Sequence, residues 1–222
     1  MKRKFSKKDI LKYLEQVNIK LEERGKFGEI MICGGAALTL IYQARDSTRD
    51  IDAVFSPKED LKEIISEISR ENKLDSQWLN DDVGMFAEEF KNLTSSEYLK
   101  FSSLKVSVLD TESLLAMKLV AARPDTYDLS DAVALMKYLE IKKVEELYAI
   151  IEKYDFPLQS TALYQSRKFA EQAFGEYMRG GSSKLPPKKN LQEKLNAAKE
   201  KVKAHPKNHK RNGSKSKDEE SL

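Results

Sequence analysis

The sequence predicts a mixed α/β chain of the α+β kind: a small mixed sheet early, flanking helices, a helical C-terminal part, and then a disordered tail. Three observations carry that prediction. Short apolar runs, one of them alternating with charged residues, fall in residues 1–110 among segments whose apolar side chains recur three and four apart. Residues 111–178 show the helical spacing alone. From Arg179 onward that spacing fades and the charge changes sign: Arg179 to Leu222 holds 13 basic and 5 acidic residues, against 26 basic and 31 acidic in residues 1–178. A body of that length can bury a sizeable core. The tail, opening Gly-Gly-Ser-Ser-Lys-Leu-Pro-Pro and rich in Lys, Asn and Ser, cannot offset its own ordering entropy.

Residues 6–24 place Ile10, Leu11, Leu14, Val17 and Leu21 on one helical face with charges between them. Residues 29–33, Glu-Ile-Met-Ile-Cys, form a short apolar strand that stops at Gly34-Gly35, and residues 36–44 return to helix formers. Residues 49–55 alternate charged and apolar side chains, the period of a strand. Ser56-Pro57-Lys58-Glu59 has the form of a capping box with proline at the first helical position, ahead of a face marked by Leu61, Ile64, Ile65 and Ile68. Residues 74–96 are irregular, residues 105–109 read as a strand, and residues 111–122 as a strongly apolar helix. Three further helices are expected at 128–139, 143–154 and 160–177, and a short one at 191–202.

Several function classes are excluded. A single cysteine, Cys33, rules out an intramolecular disulfide framework. The most apolar stretch, residues 30–42, is broken by Gly34-Gly35 and falls short of the ~20 residues a membrane span needs. The basic start Met-Lys-Arg-Lys is followed by no apolar core of a signal peptide, so a soluble cytoplasmic protein is expected. Both histidines, His205 and His209, lie in the tail, so the body has no histidine for metal or acid–base work.

The chemistry concentrates between Gly34 and Asp52. On a strand, residues two apart face one side, about 6–7 Å from each other, so Asp50 and Asp52 would present two carboxylates together. Their mutual repulsion is relieved by a divalent cation, and oxygen ligands suit Mg²⁺. Upstream, Gly34-Gly35 lets the backbone approach a ligand, and the helix that follows offers free N–H groups to phosphate. Either feature alone reads as a plain turn or a solvated strand edge. Joined by one short helix, they suggest nucleoside triphosphate chemistry. Lys118 is the only charge between Leu114 and Ala122 on a helix otherwise fit for the core, so it needs an anionic partner or a route to solvent. Asp128 could cap the next helix, and Asp131 lies on its first turn, where a carboxylate suits the dipole.

With those residues in place, the chain resembles the nucleotidyltransferase superfamily with the polymerase β-like palm, marked by a Gly-Gly or Gly-Ser turn, a helix, and Asp-x-Asp on the next strand. The nearer resemblance is to AbiEii-type toxins of type IV toxin–antitoxin systems and related uncharacterised bacterial nucleotidyltransferase-like proteins. Arg45, Thr48, Asp50 and Asp52 match their first motif, and Lys118, Arg123, Asp128 and Asp131 match a later lysine, arginine and Asp-x-x-Asp in order. The resemblance implies a nucleotidyltransferase-like palm at 1–110, a helical part completing the site at 111–178, and a basic flexible tail at 179–222. It implies that Asp50 and Asp52 hold Mg²⁺, and that Gly34, Gly35, Thr48, Arg49 and Arg123 contact the nucleotide. Lys118 would pair with phosphate charge, and Asp131, or Asp128 in its place, would support the metal or act as a base. The implied reaction moves NMP from an NTP to an acceptor, either RNA (tRNA in particular) or a protein side chain, with a toxin role and a cognate antitoxin as partner.

One departure is visible: residues 105–109 hold no acid, whereas many relatives carry a third carboxylate on a later strand, and here only Asp110 and Glu112 follow. That departure feeds the alternative of a nucleotidyltransferase fold that binds nucleotide or a partner protein without turnover. Trp78-Leu-Asn-Asp81 either anchors a loop in the core or offers base stacking and a polar contact to nucleotide. The tail reads as an RNA-contacting arm or as a solubilising extension.

Overall fold

The computed structural model describes residues 3–42, 44–84, 92–121, 127–154 and 160–180. The predicted tail from Gly181 onward, the helix expected at 191–202 and Arg123 lie outside the described residues. In chain order the elements are β1 (Phe5–Ser6), α1 (Lys7–Glu23), β2 (Gly28–Ile32) and α2, which opens as Gly34–Ala37 and widens to a π-helical turn over Leu38–Tyr42. Then follow β3 (Ser47–Thr48), β4 (Ile51–Ser56), α3 (Lys58–Asn72), β5 (Leu79–Asn80), β6 (Ser95–Lys100) and β7 (Leu104–Leu109). Four helices complete the described chain: α4 (Thr111–Val120), α5 (Asp128–Leu139), α6 (Val144–Lys153) and α7 (Ser160–Met178). The architecture is the expected mixed α/β one.

The main sheet has five strands in the order β5-β4-β2-β7-β6, with β2 antiparallel to β4 and parallel to β7. Register sets which side chains share a face. Ile30 pairs with Phe55 and Val106, and Ile32 with Ala53 and Val108, so these apolar residues form one buried face. Against it pack the buried sides of α1 (Ile10, Leu14, Val17, Leu21) and α3 (Leu61, Ile64, Ile65, Ile68). Each fully buried Leu or Ile of this layer contributes roughly 1.5–3 kcal/mol. The opposite face, with Met31, Val54, Lys105 and Ser107, lines an open cleft.

Local signals were obeyed unevenly. Ser6 caps α1, and a reciprocal capping box joins it to Asp9. At α3 the expected box is not formed: the cap position is Pro57, and no side chain bonds the helix start. Pro57 therefore stands one position earlier than expected, because its extended backbone conformation ends the loop rather than opening the helix. Trp78 settles into the core. Its indole Nε1 donates to the Ile65 carbonyl at 3.2 Å, and its ring lies 5.3 Å from that of Tyr13. Base stacking by Trp78 is thereby excluded, since the side chain has no exposed surface. No helix among the described residues is long and apolar enough to cross a membrane.

Candidate active site

β2 delivers the chain to Cys33, whose N–H donates to the Asp52 carbonyl of β4 at 2.9 Å. The next residue must turn sharply, and Gly34 does so with φ of +55°. A Cβ at Gly34 would stand 2.8 Å from Oδ2 of Asp52, and one at Gly35 would stand 2.9 Å from both Arg45 Nη1 and Thr48 Oγ1. The two glycines are therefore required by the protein's own side chains: the turn is pressed against Asp52 on one side and against Arg45 and Thr48 on the other. No side chain caps the helix that starts here.

Thr48 is buried on β3, which pairs with β1 so that Phe5 stands opposite Thr48. Arg49 and Asp50 are exposed. The strand begins at Ile51, so Asp52 alone of the predicted pair sits on it, and Asp50 occupies the bend just before. The expectation that one strand carries both carboxylates is corrected to that extent. Asp52 pairs in register with Asn80 of β5, whose Nδ2 donates to Asp52 Oδ1 at 3.4 Å. Asn80 is steadied in turn by the Asp82 N–H, which donates to its side-chain oxygen at 3.0 Å.

The second half of the site comes from α4 and α5. Lys118 stands on the last turn of α4 with its side chain 12% exposed, so it does not reach for solvent. Its Nζ pairs with Asp128 and, at 2.8 Å, with Oδ2 of Asp131. Asp131 also receives a two-pronged contact from Arg45, with Nε donating to Oδ1 at 2.7 Å and Nη2 to Oδ2. Two cations and two carboxylates thus form one buried network, both acids being only 2% exposed. Asp128 does not cap α5; Tyr127 occupies the cap position, and Asp128 opens the first turn with its carboxylate on Lys118. The Tyr127 ring covers the Arg45 guanidinium at 4.6 Å from its centroid.

Asp52 and Asp131, on distant stretches of sequence, are linked by this chain of contacts: Asp52 against Gly34, Gly35 against Arg45, and Arg45 on Asp131. Of the residues singled out in the sequence, Lys118 and Asp131 meet in one ion pair, Asp52 lies against the glycine turn, and Asp50 stands exposed before the strand. Arg45 was visible only as a motif match, and its partner lies 86 residues away. Asn80, for which the sequence offers a polar contact to nucleotide, touches Asp52.

Electrostatics at the turn are negative. Burial, first, and then the charges of Asp52 and Asp81 push the Cys33 thiol up to about 12, so it stays protonated. Hard carboxylate oxygens on an exposed bend and the strand that follows suit Mg²⁺, which typically takes one or two protein carboxylates and fills its shell with water and substrate phosphates. Among the described residues, no group of three or more His, Cys, Asp and Glu side chains stands assembled for a metal. No third acid comes from β7: Asp110 accepts from Ser96 of the edge strand at 2.6 Å, and Glu112 pairs with Lys153.

A family model described as "Nucleotidyltransferase of unknown function (DUF6036)" matches residues 8–178. No curated protein and no solved structure matches the chain.

Proposed function

The chain belongs to this nucleotidyltransferase family of unknown function, and from that premise we propose that it transfers a nucleoside monophosphate from an NTP to an acceptor in a Mg²⁺-dependent reaction. The observation that carries the reading is the close seating of Asp52 against the Gly34-Gly35 turn, with Asp50 beside it at an exposed bend. Asp50 and Asp52 would hold the ion, which supplies charge neutralisation for the triphosphate and the leaving pyrophosphate. Gly34 and Gly35 would bring backbone N–H groups to the phosphates, with Thr48 and the exposed Arg49 beside them and Arg123 as a further nucleotide contact.

The acceptor oxygen forms its bond to the α-phosphorus, pyrophosphate leaves, and the acceptor's proton passes to a carboxylate oxygen of Asp52. Asp131 is already engaged by two cations. Asp131, Asp128 and Lys118 therefore serve as positioning residues: they fix Arg45, and Arg45 in turn props the turn through Gly35. RNA, tRNA in particular, and protein side chains are the acceptor classes that the resemblance supports. A cytoplasmic toxin role with a cognate antitoxin rests on that resemblance alone.

The test is incubation of the full chain with each of the four labelled NTPs, Mg²⁺, and total tRNA or protein. Label transfer should vanish in Asp52→Asn, by at least about 100-fold, while thermal stability is kept. The second reading, nucleotide binding without turnover, draws on β7 having no acid among its residues. Binding of NTP with no transfer to any acceptor would establish it in place of the first.

A further inference from the structure

The body is acidic, but its acidity is not evenly spread. Residues 1–12 carry six basic residues and one acidic, whereas residues 13–178 carry 20 basic and 30 acidic. The fold puts that basic segment beside the candidate site. The β1–β3 ribbon pairs Phe5 with Thr48 and Ser6 with Ser47, and continuing the same register by one residue sets Lys4 opposite Arg49. Phe5 and Thr48 are buried, so by strand alternation their neighbours Lys4 and Arg49 share the solvent side, and both are exposed. Arg49 is the residue before Asp50. Along α1 the exposed Lys8 and Lys12 follow four residues apart, about 6 Å along the helix, on one face.

Of the charges next to this row, Arg3 lies 3.7 Å from Asp9, and two more are held within the fold. Lys7 donates to the Leu40 carbonyl at 2.7 Å, and Asp9 is engaged by Ser6. Four exposed cations therefore run outward from the metal-binding bend, on a body that is otherwise strongly negative.

We infer that this row, Arg49-Lys4-Lys8-Lys12, is the docking track for the backbone of a polynucleotide acceptor. The inference rests on the nucleotidyltransferase reading and names its acceptor class. Charge complementarity selects the occupant. A protein acceptor offers no regular array of negative charge to such a row, whereas successive phosphodiesters match it and release counterions on binding. Seated there, a strand end would reach the Asp50–Asp52 bend while its body lies along α1.

The experiment uses the full chain and a fluorescein-labelled 20-nucleotide RNA, with anisotropy followed over a salt series. A triple variant, Lys4→Glu, Lys8→Glu and Lys12→Glu, should weaken RNA binding at least 10-fold. It should also flatten the log Kd against log salt slope by about 0.7 per lost contact. ATP–Mg²⁺ binding, measured in parallel, should be unchanged. A second variant reverses three lysines of the C-terminal segment, Lys184, Lys188 and Lys189. If that variant loses RNA binding and the α1 variant does not, the track is wrong. Equal loss of RNA and ATP binding in the α1 variant would also overturn it, since the row would then belong to the nucleotide pocket. Binding needs no turnover, so failure of the track is visible whether or not label transfer succeeds.

Discussion

Exchanging the Asp131 carboxylate for an amide would leave the half-buried Arg45 guanidinium with half of its two-point partner gone, and Lys118 with Asp128 alone. Breaking such a buried network from one side typically costs about 3–5 kcal/mol. Asp131→Asn is therefore expected to lower the urea midpoint sharply, whereas Asp52→Asn, at a half-buried position, should abolish transfer with little change in stability. A stability loss at Asp52 as large as at Asp131 would contradict this division of roles. Both carboxylates were legible in the sequence, Asp52 from its spacing with Asp50 and the glycine turn, Asp131 only as a match within the resemblance. Their different duties were not. What separates them is the contact with Arg45, and nothing in local sequence marks a pairing across 86 positions.

Helices were legible because apolar residues at 3.6-residue period need only one neighbour surface to explain them, and α1, α5 and α6 fall close to their expected bounds. The strands β1, β3 and β5 were not, since two residues cannot establish a period. β6, Ser-Ser-Glu-Tyr-Leu-Lys, is an edge strand with a register irregularity and too few apolar residues to stand out. The cap of α1 allows a test at this scale: Ser6→Ala should cost about 1 kcal/mol in thermal or chemical denaturation. The Ser6 hydroxyl, as the main cause, holds the Asp9 carboxyl below its usual range. A depressed carboxylate stabilises fully above its ordinary pKa and loses that contribution as pH falls through the lowered value. The gap between wild type and Ser6→Ala should therefore narrow on acidification, and a gap independent of pH would count against the capping box. Trp78→Ala, by contrast, should cost about 3–5 kcal/mol and leave the KM for nucleotide unchanged in the surviving folded fraction.

Taken as one object, the molecule joins a sheet layer to a helical cluster, and Arg45 is the side chain that spans them at the site. Tyr42 adds a second tie, with its hydroxyl 2.7 Å from that of Thr111 and its ring 5.2 Å from Tyr138. Arg45→Ala should accordingly raise amide hydrogen exchange in both β3 and the first turn of α5, rather than in one alone. Protection lost only in β3 would show that α5 holds its place without the bridge. The glycine turn carries a different consequence, for the reading of saturation mutagenesis. Because Gly34 is demanded by a left-handed backbone and by Asp52, and Gly35 by the Arg45 and Thr48 side chains pressed against it, a library scored only for cellular abundance should reject substitutions there. It should tolerate many at the exposed Asp50. The same library scored for biological effect should reject both, so the difference between the two maps, rather than either alone, would separate what shapes the turn from what works beside it.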